Sequence, residues 1–342
     1  KRQGWDWSTY LLSHSDNQSS GNLTGVIANS LIDVYLLSGD PALLTTLQDV
    51  ADREIAIGPD PAYPVGLHYA GDILFLLRFA ELPGVADPAL YRNAAVAVWN
   101  WRLTNTGTGT AVSVAEAIRD GRYGQGYSNG IIAWDIGAYV EAVAMLDAAF
   151  PGMGYDADAD AMAEVLWQDS FNLTPGYFDF NGVNMGYDPL GEDKLYWWYT
   201  LGVSGLIQAF SASGTHLTDL PLLETRLLEC QYDDGAFSSQ YGAPADINSR
   251  SWQTTAYAVA AIHNHLSPAA GNLSAMVDAG YWLAATQDVS GGWLYSDGKH
   301  YPEVGSECAA AMAFVWDVAG AAVTTTVDGP DPVTCGLTKT AT

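Results

Sequence analysis

The sequence predicts an all-α protein. The expected fold is an (α/α)6 toroid: six inner and about six outer helices, short rim hairpins and an extended C-terminal arm. Two observations carry this. Apolar residues recur at helical spacing in segment after segment, with turn signals between them and few strand-like runs. The segments also come in pairs that repeat every roughly 40–60 residues, the pattern of an array in which no single pair buries its own apolar face. Closure is expected over an open solenoid because neither end shows a polar capping repeat.

The elements follow in order. Residues 22–37 are apolar at Val26, Ile27, Leu31, Ile32, Tyr35 and Leu36, one face of a helix. Ser38-Gly39-Asp40-Pro41 breaks the pattern, and Asp40 with Pro41 opens the next helix as cap and first-turn proline. Residues 69–80 and 88–103 form a second pair across Leu82-Pro83-Gly84, and 129–150 with 156–170 a third across Pro151-Gly152. Segments 193–211 with 220–231 and 248–266 with 271–287 supply the fourth and fifth pairs. A last inner helix is expected over 304–322, with 7–13 as its short outer partner. The first helix of each pair is longer and richer in small residues, such as Ala256, Ala258, Ala260 and Ala261, which lets inner helices crowd around an axis. Stretches 172–192, 232–247 and 288–303 read as hairpins or extended loops on one rim. The toroid domain is expected over 1–322. After Ala322 the composition turns to Thr, Pro and Gly, so 323–342 is expected as an arm docking outside its own toroid, joining the chain into a homo-oligomer or polymer.

Two loop segments share a local design. Trp282-Leu283-Ala284-Ala285-Thr286-Gln287-Asp288-Val289-Ser290-Gly291-Gly292-Trp293 reads aromatic-Leu-x3-Gln-x3-Gly-x-Trp. Gln231-Tyr232-Asp233-Asp234-Gly235-Ala236-Phe237 repeats its end with Phe for Trp. In each, the Gln amide can donate to open carbonyls at the helix end and accept across the turn, the Gly allows a left-handed corner, and the aromatic closes it. The pattern resembles the QW repeat of the terpenoid-cyclase and protein-prenyltransferase superfamily. That resemblance implies an α/α toroid of inner and outer helices. It does not extend to the enzymes' chemistry. Asp156-Ala157-Asp158-Ala159 departs from the D-x-D-D acid of the cyclases, and Glu307-Cys308 is a poor substitute for the zinc ligands of the prenyltransferases.

Charge and composition exclude some functions. Lys and Arg number 13 against 39 Asp and Glu, a net −26, which argues against nucleic acid or anionic membranes as partners. No apolar run approaches the roughly 20 residues of a membrane span. The chain opens on Lys1 and reads as a processed or trimmed product. Acidity together with the sequons at Asn17, Asn22, Asn172 and Asn272 points to an extracellular glycoprotein. Cys230, Cys308 and Cys335 have no metal-ligand spacing, and one disulfide or none are both open. Asp156, Asp158 and Asp160 leave calcium as a weak alternative, without the Gly and terminal Glu of an EF-hand loop; no other metal or cofactor is expected.

The candidate chemistry lies on the rim. Carboxylates among aromatic rings suit a sugar polymer, since rings stack on sugar faces and carboxylates serve as acid and base. The candidate catalytic set is Asp233, Asp234, Asp297, Glu303 and His300, with Asp233 or Asp234 paired to a carboxylate within 297–307. The candidate sugar platforms are Trp5, Trp7, Trp134, Trp197, Trp252 and Tyr301. Gly126-Tyr127-Ser128-Asn129-Gly130 matches a nucleophile elbow but lacks the strand such an elbow needs, so Ser128 or Asn129 reads as a helix cap. Two functions fit. One is a non-catalytic surface or assembly protein of a fibre or layer, favoured by the missing family signatures. The other is a carbohydrate-active hydrolase or lyase using the rim carboxylates.

Overall fold

The computed structural model describes residues 24–58, 68–106, 108–124, 127, 129–171, 198–241, 248–289, 291–293 and 301–319. They form twelve α-helices: α1 (Thr24–Ser38), α2 (Pro41–Ile57), α3 (His68–Ala80), α4 (Pro88–Asn105), α5 (Ala111–Gly124), α6 (Asn129–Ala149), α7 (Tyr155–Phe171), α8 (Tyr199–Ser213), α9 (Leu220–Leu228), α10 (Trp252–His265), α11 (Ala270–Thr286) and α12 (Pro302–Ala319). Helix α1 packs on α3, α3 on α6, α6 on α8, α8 on α10, α10 on α12, and α12 returns to α1. The inner ring is therefore closed, and the fold is an all-α toroid. Around it lie α2, α4, α7 and α11, each against the inner helices that flank it in sequence, and α9, which packs on α8.

Local signals start and stop these helices as their residues dictate. Asp40 Oδ1 accepts from Ala42 N at 2.9 Å ahead of Pro41, and Asp87 Oδ1 from Leu90 N at 3.3 Å ahead of Pro88. Helix α10 starts at Trp252, later than its apolar pattern suggests. Ser249 and Arg250 are drawn into pairing with the preceding turn (Ser239 N to Ser249 O, 2.8 Å; a bridge of Ser238 with Arg250), and Ser251 then caps the helix through Thr254 N. The predicted rim hairpins reduce, among the described residues, to that bridge and one between Gln231 and Phe237.

The inner helices run parallel. Gly25 lies against Asp72 and Asp33 pairs with Arg78; Gly130 lies against Trp198 and Gly137 against Gly205; Gln253 reaches Glu303 and His263 reaches Asp317. Their N-termini thus share one end. The connections at the other end are short, as at 39–40, 150–154 and 266–269. The longest, 172–198, 229–251 and 287–301, all lead into inner-helix N-termini. Sites on this fold are best sought at that end, where long connections can carry chemistry.

Helices α6 and α8 cross most closely. A Cβ on Gly137 would meet Gly205 O at 2.3 Å, and one on Gly205 would meet Trp134 Cα at 2.5 Å, so neither backbone can give way to a side chain. Gly205→Val is expected to destabilise the ring by about 3 kcal/mol or more, the upper range for overpacking, because the clash is with backbone. Urea unfolding tests this, and a midpoint within error of the parent would show that the crossing is looser than it is drawn.

The two QW-like corners close through their Gln, Gly and aromatic residues, with the amide donating across the turn where it was expected to accept. Gln231 Nε2 donates to Gly235 O (3.1 Å) and to Ala275 O of α11 (2.8 Å), and Gln287 Nε2 donates to Gly291 O (2.6 Å). Gly235 (φ 95°) and Gly291 (φ 88°) take the left-handed region. Phe237 is fully buried, and Trp293 donates from Nε1 to Leu283 O at 3.0 Å.

Helix α5 has no counterpart among the expected elements. Thr110 and Ser113 cap it reciprocally: Thr110 Oγ1 accepts from Ser113 N, and Ser113 Oγ from Thr110 N. Its apolar face, Ala111, Val114, Ala115 and Ile118, is buried, and it packs on α4, α6 and α7. The expected short helix at 7–13, the arm 323–342 and Cys335 lie outside the described residues. Cys230 and Cys308 are fully buried, with Sγ of Cys230 on Arg226 O and that of Cys308 on Trp252 O. Neither offers an exposed thiol to a partner from outside the toroid.

Candidate active site

The site builds from the start of α12. Glu303 and Glu307 are four residues apart on one helix, which sets their Cβ atoms about 6 Å apart on the same face. Helix α10 faces them with the same spacing. Gln253 Nε2 donates to Glu303 Oε1 at 3.3 Å, and Tyr257 Oη donates to Glu307 Oε1. Glu307 is 5 % exposed, and its Oε2 has no protein partner. From α6, Asp135 adds a third carboxylate. Its Oδ2 accepts from Arg122 Nε of α5 at 2.6 Å, with both side chains buried. Next to Asp135, Trp134 turns its ring to Tyr257, with centroids 4.7 Å apart and planes at 57°.

These groups line or adjoin a cavity of about 290 Å³ on the toroid axis. Its wall includes Trp134, Tyr257, Glu307 and Phe314, and further along the axis Glu141 and His265. The volume lies at the lower end for pockets that take small molecules. Burial governs the protonation of the carboxylates. It lifts Glu303 to about 7, and it lifts Asp135 to about 7 against the pull of Arg122, with the Glu303 charge adding to the rise. Burial, with Glu303 beside it, holds Glu307 well above the usual carboxylate range, and burial raises the Tyr257 phenol, with the charges of Glu307 and Glu303 adding. A fourth carboxylate, Glu141, meets His265 Nε2 at 3.5 Å and accepts from Gln208, while burial lowers the His265 pKa.

The sequence-predicted residues distribute unevenly. Glu303 and Trp134 belong to the cluster. Asp233 and Asp234 do not join it. They sit in the exposed turn of the first QW-like corner, which rests on the outer helix α11: a Cβ on Gly235 would meet Asp278 O at 2.1 Å. Asp234 accepts from Ala236 N and from Arg250 Nε (2.8 Å), and Arg250 in turn covers Tyr232 at 3.9 Å. The carboxylates near Glu303 are Glu307, one turn along α12, and Asp135 of α6. Trp252 is tied to the outer ring, its Nε1 donating to Thr286 Oγ1 at 3.1 Å. Tyr301 is 43 % exposed, just ahead of α12. Asn272 is no glycan acceptor in this fold: it is 1 % exposed, and its Nδ2 donates to Glu224 Oε1 and Ser267 O. Trp5, Trp7, Trp197, Asp297, His300, Asn17, Asn22 and Asn172 lie outside the described residues.

The calcium alternative fails on geometry. Asp156 and Asp160 share one face of α7, but Asp158 between them points away and is engaged by Trp99 Nε1 at 3.2 Å, so the three do not converge. Among the described residues no three His, Cys, Asp or Glu side chains converge as metal ligands. Nor, among them, is any helix long and apolar enough to cross a membrane.

Neither a protein-family profile nor a curated protein matches this sequence. Among solved structures, the chain is similar to a glycosyl hydrolase family 88 protein from Bacteroides vulgatus, with a TM-score of 0.59 and 12 % identity over 91 % of this chain and 98 % of that one. At that identity the likeness is one of fold, and the shared fold is the α/α toroid.

Proposed function

We propose that this chain is a carbohydrate-active enzyme that cleaves glycosidic bonds by acid–base catalysis at the axial carboxylate cluster. One observation carries the reading: Glu307 lines a ring-walled cavity with Glu303 one turn before it and Asp135 within reach of the Glu303 charge, and burial raises the pKa of all three. The similar fold of a glycosyl hydrolase supports it. Glycoside cleavage needs one carboxyl that still holds its proton and one that has lost it. Glu307 suits the acid. Tyr257 holds its Oε1, which leaves Oε2 to carry a proton to the leaving oxygen. Glu303 or Asp135, both titrating near neutrality, suits the base that draws a proton from water. Trp134 and Tyr257 give the sugar ring its stacking faces. We place the enzyme outside the cell, in keeping with its acidity.

Glu307→Gln keeps the shape and removes the acid. It is expected to lower kcat by about 10²–10⁴-fold on a cleaved glycoside, while Asp234→Asn leaves kcat within about twofold. Reducing-end release measured across oligosaccharides decides it. Full activity in folded Glu307→Gln would remove the cluster from catalysis.

A further inference from the structure

The described residues around the axial cavity bring it little positive charge. Among the described residues, the arginines beside it are each committed: Arg78 to Asp33 by two bonds (3.1 and 2.5 Å) and to Asn29, and Arg122 to Asp135. Glu303, Glu307 and Glu141 have no arginine of their own. Gln253, Tyr257, Gln208 and His265 satisfy part of their hydrogen bonding, but amides and a phenol bring no charge, and burial disfavours the charged form of His265. Glu307 Oε2 remains without a partner in the wall of the cavity although the residue is 95 % buried. A buried carboxyl oxygen left this way is costly unless something completes it.

What completes it can be read from its neighbours. Tyr257 holds the same carboxyl, the Trp134 ring packs on Tyr257, and Trp134 and Phe314 line the same cavity. Ring faces attract a cation within about 6 Å of the centroid, most strongly where water is excluded. Carboxyl groups and aromatic rings in one wall are the surroundings that an ammonium group takes. A carboxylate-bearing sugar entering the same space would meet Glu307 and Glu141 with, among the described residues, no free arginine to receive it. The chain's net charge of −26 disfavours approach of a polyanion in the same direction.

We infer that the axial cavity takes a cationic sugar, an amino sugar whose free ammonium group sits between Glu303 and Glu307 and the faces of Trp134 and Tyr257. This rests on the carbohydrate reading above and narrows it to a substrate class. The charge of the ammonium favours release of one proton from the Glu303–Glu307 pair to solvent, so that one carboxylate faces it while the other carboxyl keeps the proton that cleavage needs. N-acetylation of the amine would remove the charge and add bulk.

The test is a binding series on the intact chain at about pH 6.5, by calorimetry, with four disaccharides: glucosamine-based, its N-acetylated form, cellobiose and a glucuronate-containing one. The glucosamine disaccharide is expected to bind at least tenfold tighter than cellobiose. That margin should shrink when salt rises from about 0.1 M to about 0.5 M, since exposed parts of an ion pair are screened. It should also collapse towards one in Glu307→Gln and fall in Glu303→Gln, with circular dichroism and thermal midpoint confirming that each variant folds. A ratio near one, or tighter binding of cellobiose, the N-acetylated sugar or the glucuronate, would overturn the inference and leave the carbohydrate reading standing. Binding of none of the four would bring down both.

Discussion

Unfolding in urea is expected to become easier as the pH rises from about 4 to about 7, the reverse of a protein held together by salt-bridged carboxylates. The sign follows from the buried acids. Burial raises Glu54 from 4.5 to about 7, with Arg53 opposing, and raises Asp135 from 3.8 to about 7, with Arg122 opposing. Each binds its proton more tightly folded than unfolded. The contribution is therefore complete below the unfolded pKa and is lost as the pH climbs through the folded one. At about 1.4 kcal/mol per unit, each of the two costs on the order of 3 kcal/mol by neutral pH. Asp72, 4 % exposed and raised by burial and by Glu54 beside it, acts in the same direction, as does Glu307. Urea midpoints at about pH 5 and about pH 8, at one ionic strength, measure the effect. A flat profile, or a midpoint that rises with pH, would mean that these groups stay ionised in the fold.

Arg122→Met should produce the largest single loss. The guanidinium ties α5 to the start of α6 through Asp135, and both side chains are buried. Removing one partner of a buried pair leaves the other charge without compensation, at about 3–5 kcal/mol. The loss should be smaller at about pH 5, where Asp135 can protonate, than at about pH 8. The double variant Arg122→Met with Asp135→Leu should recover much of it, because an apolar pair of similar volume often does as well as an ion pair. A pH-independent loss, or no recovery in the double variant, would assign the stability to something other than this pair. Asp135 also belongs to the candidate site, so thermal midpoints rather than turnover should be the readout.

The paired helices were legible because their signals are local. Asp40-Pro41 and Asp87-Pro88 cap and start helices within four residues, and a Gln-to-Gly turn needs only its own segment to close. Helix α5 was not, since its apolar face mixes alanines with Val114 and Ile118 and its cap uses Ser113 in place of an acid. The site was half legible. Glu303 stood out as a rim carboxylate, but Tyr257 and Gln253 matter only because α10 and α12 run side by side and in phase, which no segment reveals alone. The spacing Gln253-x3-Tyr257 opposite Glu303-x3-Glu307 was the available clue. Asp233 and Asp234 misled for the opposite reason: Asp beside Gly marks a tight turn as readily as it marks chemistry.

The return of α12 to α1 sets the order of events during synthesis. The first inner helix leaves the ribosome long before the last, and until α12 arrives both α1 and α10 lack the neighbour that completes their apolar flanks. An open solenoid could settle repeat by repeat from its N-terminal end. Here the seam joins the first and last of the described helices, so the ring cannot finish before α12 is out, and its final step carries the entropy of closing that loop. A nascent chain that pauses between α10 and α12 would hold an exposed apolar edge, which makes that interval the one in which a holdase has most to protect.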